Sequence, residues 1–150
     1  MRILWWIKRD LRLRDNEALE QACEDAKRVG GDVLPVYLFE PSLLAAPETS
    51  ALHLQLISHA LTKLRDRLRG AGAELLLLHG EAPAAFDKMQ KYLPFHRIYA
   101  EEETGTQITY DRDCRLRRWC GERGIAFREF PRNGVIRRLG SRDRRMSIWR

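Results

Sequence analysis

Four charged residues in five positions, Lys8-Arg9-Asp10-Leu11-Arg12, follow the first apolar run of the chain. Lys8 or Arg9 there could line a pocket for an anionic ligand, with Asp10 ordering the loop by pairing with Arg12. The competing role is structural ion pairing throughout, since such pairs usually only hold loops. A second charged group, Glu101-Glu102-Glu103, follows a later apolar run. One of its carboxylates could accept hydrogen bonds from the N–H groups of a heterocyclic ligand. The triplet as a whole reads equally as a solvated acidic loop that complements the positive end of the helix behind it.

Other chemistries lack their residues. No GxGxxG follows the first apolar run and no GxxxxGK[ST] occurs, so backbone amides have no glycine-rich approach to phosphate. A dinucleotide oxidoreductase and a P-loop NTPase are thereby disfavoured. HExxH, GxSxG and CxxC are also missing. His53, His59 and His96 are scattered, and His79 alone ends a strand at the edge where ligands bind; a structural role is favoured for all four. Cys23, Cys114 and Cys120 are odd in number with no close pair, which argues against a disulfide framework or a zinc site. Cys23 shares a helical face with Leu19 and Ala26, which suits core packing.

The elements that must position these residues follow from periodicity. Apolar runs at Ile3–Ile7, Val33–Phe39, Glu74–Leu78, Arg97–Ala100 and Ile125–Phe130 predict five strands. Between them lie helical patterns. Asp15 is the expected cap of the first, with Leu19, Ala22, Cys23 and Ala26 on its buried side and Gly30-Gly31 as its stop. Ser50 is the expected cap of a longer helix with Ile57, Ala60, Leu61, Leu64 and Leu68 as its buried stripe. Pro83 suits the first turn of a short helix, and a last helix is expected near Gln107–Arg123.

This alternation predicts an α/β fold: a Rossmann-like or flavodoxin-like, doubly wound, five-stranded parallel sheet with helices on both faces. Ligands bind such sheets at the carboxyl ends of the strands. That selects the loops Lys8–Asp15, Glu40–Ser50, His79–Glu81 and Glu101–Thr106.

The chain has 150 residues, enough for one domain with a real core. At 44% hydrophobic and 32% charged, it has the composition of a globular domain. No apolar run is long enough to cross a bilayer, and the N-terminal stretch reads as a strand with no cleavage site, so no membrane partner and a cytoplasmic location are expected. The net charge of +6 is uneven: Arg137 to Arg150 holds six arginines and one aspartate, leaving the rest close to neutral. The segment 132–150 therefore reads as a basic exit segment or linker after a domain over 1–131.

At its N-terminus the chain resembles a known family. Trp5-Trp6-Ile7-Lys8-Arg9-Asp10-Leu11-Arg12-Leu13-Arg14-Asp15-Asn16 is similar to the opening motif of the photolyase/cryptochrome family, roughly W-F/I-R/K-R-D-L-R-x-x-D-N. Leu34-Pro35-Val36-Tyr37 looks like the family's second strand, and Asn133 to Arg138 with Ser141-Arg142-Asp143 and Trp149 looks like its exit segment. The resemblance implies an α/β antenna domain that continues into a large helical domain. That helical domain would bind FAD, dock damaged DNA and carry light-driven repair, or blue-light reception in a cryptochrome. It would thus be the partner of this domain, and FAD a cofactor of the parent protein rather than of these residues.

The same resemblance bears on the antenna. Folate-binding members share an Asn-Glu pair near the start of the helix after the fourth strand, where this chain has Ile108-Thr109. Folate is therefore doubtful, and a deazaflavin, a flavin or no antenna remain open. Lys8, Arg9, Asp10, Glu102 and Glu103 are the candidate cofactor-binding residues. No residue is assigned to catalysis or to a metal. Trp5 and Trp6 are expected in the core. The rival readings are a stand-alone nucleotide-binding module of the universal-stress or electron-transfer-flavoprotein type, and non-specific DNA binding by the arginine segment.

Overall fold

β1 (Arg2–Ile7) is an apolar run buried at five of its six positions, because it lies in the middle of the sheet with helices on both faces. A computed structural model describes residues 1–131; the basic segment expected over 132–150, with Trp149, lies outside the described residues. The remaining strands are β2 (Asp32–Phe39), β3 (Leu76–His79), β4 (Arg97–Glu101) and β5 (Ala126–Phe130). Helices α1 (Glu17–Val29), α2 (Pro41–Leu44), α3 (Ala51–Gly70), α4 (Ala84–Gln90) and α5 (Gln107–Glu122) connect them.

All strand pairs are parallel, in the order β3-β2-β1-β4-β5, which is the Rossmann order rather than the flavodoxin one. Register places Ile7 beside Tyr37, Phe39 beside His79 and Glu101 beside Phe130, so every strand ends at the same edge. The strand order switches between β1 and β4, and the crevice that this creates opens at that edge.

Alternation along β1 divides the core. Ile3, Trp5 and Ile7 pack with Ala18, Ala22 and Ala26 of α1 and Leu61, Leu64 and Leu68 of α3. Leu4 and Trp6 face the other way, onto Phe86 and Met89 of α4 and Leu116, Trp119 and Cys120 of α5. Trp6 meets Phe86 edge-on at 5.3 Å between ring centroids, a contact of roughly 0.5–1.5 kcal/mol beyond its burial. Both tryptophans are core residues, as expected from their strand.

Several boundaries differ from the sequence expectation. Asn16, not Asp15, caps α1: its Oδ1 accepts from the Leu19 N–H at 2.9 Å, while Asp15 takes a left-handed φ of 50° in the turn before it. Ser50 does cap α3, accepting from the His53 N–H. β3 begins at Leu76 rather than Glu74, and as a sheet edge it leaves Leu77 exposed despite the leucine run. Pro83 stands at the cap of α4, one residue before its first turn. Cys23 is only half-buried. The single turn α2 lies inside the expected Glu40–Ser50 loop.

Candidate functional site

A cavity of about 360 Å³ lies at the carboxyl edge, over β1 and β2 and between α3 and α5. That is a size usual for small-ligand pockets, roughly 300–1,000 Å³. Its apolar lining is Trp6 and Leu38 from the sheet, Tyr37 and Phe39 beside them, Leu43 and Leu44 of α2, and Leu54 and Ile57 of α3, and charged and polar groups line nearly as much of it. Tyr37 and Phe39 meet edge-to-face at 4.9 Å. Burial, and then the charge of Glu40, push the Tyr37 hydroxyl above its ordinary range, so it stays protonated as a donor.

Charge enters this apolar wall from α5. The buried residues of that helix are Thr109, Arg112, Asp113, Leu116, Trp119 and Cys120, a helical stripe whose first turns carry polar groups where a core face would carry apolar ones. Arg112 lies with its guanidinium 4.7 Å from the Trp6 ring centroid. Its Nη1 donates to Glu40 Oε2 at 2.7 Å and its Nε to Asp113 Oδ1 at 3.0 Å. Nη2 is 2.9 Å from that same Asp113 oxygen and 3.7 Å from Glu103 Oε2. Neither approach has hydrogen-bond geometry, and Nη2 is buried without an acceptor.

The carboxylates around Arg112 are held differently. Burial raises the Glu40 carboxyl above its ordinary value, against the opposing pull of Arg112 and the Ala82 N–H. Burial acts on Asp113 in the same sense, but Lys8 and Arg112 overcome it and hold that carboxyl below its ordinary value. Lys8 Nζ donates to Asp113 Oδ2 at 2.9 Å and to Glu129 Oε1 at 3.2 Å, and lies 4.6 Å from the Trp6 ring centroid. Glu129 is also paired with Arg117. At the rim Arg9 Nε reaches Glu103 Oε1 at 2.9 Å; the arginine is half-exposed and the glutamate buried. Gly105 permits this pairing, since a Cβ there would lie 2.6 Å from Arg9 Nη2.

A family model described as DNA photolyase matches residues 3–141. The chain belongs to the DNA photolyase family. It corresponds to the N-terminal α/β domain of the photolyase/cryptochrome proteins. It is 34% identical over 105 residues to a chloroplastic/mitochondrial cryptochrome DASH of Solanum lycopersicum, covering 66% of this chain and 18% of that protein. To a deoxyribodipyrimidine photo-lyase of Halobacterium salinarum it is 31% identical over 134 residues, covering 85% of this chain and 27% of the relative. Among solved structures, a class III photolyase from Agrobacterium tumefaciens superposes with a TM-score of 0.78 at 25% identity, covering 94% of this chain and 28% of that one. The chain thus spans about a fifth to a quarter of the length of these relatives.

Within this photolyase-family domain the expected site residues separate. Lys8, Arg9 and Glu103 line the cavity, although the Lys8 ammonium is taken up by Asp113 and Glu129. Asp10 pairs with Arg12 at 2.8 Å, as its loop role predicts, and lines a separate crevice with Asp15, Glu17 and Glu101. Glu102 is half-buried, gives its N–H to the Phe130 carbonyl and is not among the cavity residues. Three of the four expected loops converge on the cavity. The fourth does not: His79 is exposed away from it, and Glu81 instead accepts from the Ser42 N–H and hydroxyl.

Glu40, Tyr37, Thr109, Arg112 and His53 line the cavity and were not among the candidate binding residues expected from sequence. Glu40 was within reach, since it is the first residue after β2. Arg112 and Asp113 carried a signal as well: they share the α5 face with Leu116 and Cys120, and charge on such a face implies buried partners. Thr109, in the place where folate-binding members carry a carboxylate, is buried and donates its hydroxyl to the Thr106 carbonyl. Cys120 is unreactive, its thiol pushed up to about 12 by burial. Among the described residues no group of His, Cys, Asp and Glu could hold a metal, and no helix is long and apolar enough to cross a membrane.

Proposed function

We propose that this domain binds an antenna chromophore in the cavity at the carboxyl edge, as part of a deoxyribodipyrimidine photolyase-like flavoprotein that repairs pyrimidine dimers in DNA with light. The supporting observation is the cavity itself: a slot large enough for a fused ring system, lined by both apolar and polar side chains. A deazaflavin or a flavin suits it, because its aromatic and aliphatic lining can pack on a flat ring and its polar lining can meet the ring's heteroatoms. Bound there, the chromophore would supply absorption of light and transfer of that energy. The contribution of these residues is to bind the ring, orient it and exclude water.

In this proposal Arg9 and Glu103 hold the rim, Arg112 and Glu40 the base, and Tyr37, Phe39 and Leu54 the flanks. Lys8 and Asp10 act at one remove, Lys8 by fixing Asp113 and Asp10 by ordering its loop. Glu102 makes no contact with the ligand. Residues 1–131 form the domain, and 132–150 lead toward a helical domain that would hold FAD and dock the damaged DNA. Titrating the chain with riboflavin, 8-hydroxy-5-deazariboflavin and methenyltetrahydrofolate, followed by absorption and fluorescence, tests the reading. Binding of a flavin or deazaflavin with none of the folate is expected. If none binds, the cavity is a scaffold without a chromophore and the reading fails.

A further inference from the structure

We infer that residues 41–60, which are α2, the loop after it and the first half of α3, form a lid over the carboxyl-edge cavity that opens as a unit while the rest of the fold stays closed. This goes beyond the antenna reading, because it concerns how the cavity is entered and holds for any occupant. α3 is continuous, yet its two halves are held differently. In the second half Leu61, Leu64 and Leu68 are 3%, 2% and 5% exposed and pack with Ile3 and Trp5. Ahead of them no residue from 41 to 60 is buried, and Leu52 and Leu56 are 66% and 60% exposed. Buried residues bound the segment on both sides, Glu40 before it and Leu61 after it. Packing supplies most of the stability of a helix in a protein, and an isolated helix of about ten residues is marginal in water. The first half of α3 thus keeps its form through the Ser50 cap and its continuity with the second half.

The tether is as slight as the packing. Apart from helix and turn bonds within the segment and at its ends, two hydrogen bonds join it to the body among the described residues, and both are at one place. Ser42 gives its N–H to Glu81 Oε1 at 2.7 Å and its hydroxyl to Glu81 Oε2 at 2.8 Å. That contact is exposed, so water replaces it at small cost. The second half of α3, by contrast, is also paired through Arg65 and Arg69 to Glu74. The weakly held segment supplies the α3 side of the cavity, where Leu43, Leu44, Thr49, Leu54 and Ile57 line it. Trp6, Leu38 and Arg112, which line it from the sheet and α5, are buried in the body. One wall is therefore fixed by the global fold and the other is not. Lids are drawn from such low-stability segments, and their closure encloses what the cavity holds.

Amide hydrogen exchange of the 150-residue chain, followed residue by residue by NMR, tests this without any ligand. Amides 54–60 and 62–68 all donate within one helix, so a difference between them reports opening rather than the presence of a hydrogen bond. Protection at 54–60 should be at least about 100-fold lower than at 62–68, and the same across 54–60. Ordinary fraying gives instead a gradient toward Ala51. Glu81→Ala removes both tether bonds from outside the segment. It should speed exchange at 54–60 together by roughly 3- to 10-fold and leave 62–68 unchanged. Ser42→Ala, which keeps the N–H bond, should do so by less. Equal protection in the two halves overturns the lid, and so does a gradient that Glu81→Ala leaves in place. Acceleration of both halves alike in Glu81→Ala also overturns it, since the contact would then belong to the global fold. Each of these outcomes leaves the chromophore titration to decide the antenna reading by itself.

Discussion

Two buried ionic clusters sit at opposite ends of the same strands, and they differ in whether their polar atoms find partners. At the amino end Asp25 of α1 accepts from the Tyr99 hydroxyl, from Arg97 Nη1 at 3.0 Å and from Arg28 Nη2 at 2.6 Å. At the carboxyl end Arg112 meets Glu40 and Asp113, Lys8 meets Asp113 and Glu129, and Nη2 of Arg112 lies 2.9 Å from Asp113 Oδ1 without hydrogen-bond geometry. The first cluster ties α1 to β4. The second borders about 360 Å³ of open space. A buried charge cluster is thus no sign of a site by itself, since structural networks use the same residues. What marks the second is that Arg112, Glu40 and Lys8 also line the cavity.

Arg112→Met should show the largest effect, a loss of about 3–5 kcal/mol in urea unfolding, because it leaves Glu40 without its cation and weakens the hold on Asp113. Adding Glu40→Leu should recover much of that loss. A small effect of the single change would mean that water reaches Glu40 and replaces its cation. Tyr99→Phe is the matching change at the amino end. It removes one donor while Arg28 and Arg97 still hold Asp25, so a smaller loss of about 1–2 kcal/mol is expected. Riboflavin affinity should be unchanged by Tyr99→Phe. A drop there would join the two ends and end the contrast.

The contrast also explains what could be read from sequence. Five strands, their alternation with helices and the loops at the carboxyl edge all followed from apolar periodicity, because β1 and β4 are buried at all but their first residue and β2 over its second half up to Leu38. Arg9 and Glu103 followed from position in those loops. Arg112 did not, since it lies on a helix rather than a strand-end loop, and its importance depends on Glu40 arriving from 72 positions away. Asp10 and Lys8 lie in the right loop, yet side-chain direction and competing partners decide their roles, and neither is visible in a linear motif. The cap at Asn16 was missed for a local reason: Asp15 is an equally good capping residue, and only the left-handed turn at Asp15 moves the cap on by one.

Acid separates Glu40 from the other two buried carboxyls by sign. Hydrogen bonding from Tyr99, with the charges of Arg28 and Arg97, holds the Asp25 carboxyl below its ordinary value. Asp113 is also held low, by Lys8 and Arg112 against burial. A carboxyl lowered in the folded state contributes stability above its unfolded value, about 4, and loses it as pH falls through the folded value. Glu40 is raised instead, so its contribution is present below its unfolded value and is lost as pH rises through the folded one. Urea midpoints between pH 3 and 7 should therefore fall less steeply at the acid end in Asp25→Asn than in wild type. Glu40→Gln should steepen the overall rise with pH by removing an opposing slope. A Glu40→Gln profile that runs parallel to wild type would show that Glu40 is ionised as easily as an exposed glutamate.

The smallest expected effect probes the border between cluster and solvent. A Cβ at Gly105 would lie 2.6 Å from Arg9 Nη2 and 2.9 Å from Glu103 Oε1, so Gly105→Ala must move one of them. Arg9 is the one that gives, being the flexible end of a side chain that is 57% exposed, whereas Glu103 is 4% exposed and lies near Arg112. An ion pair with one partner so exposed is worth at most about 1 kcal/mol, and the stability change should stay within that. Riboflavin affinity should shift by no more than about threefold, since only the rim opens. A much larger loss of stability would place Arg9 and Glu103 inside the buried network. The cavity would then be closed at its mouth by the same forces that hold its base, and the distinction between a saturated end and an open end of the sheet would fail.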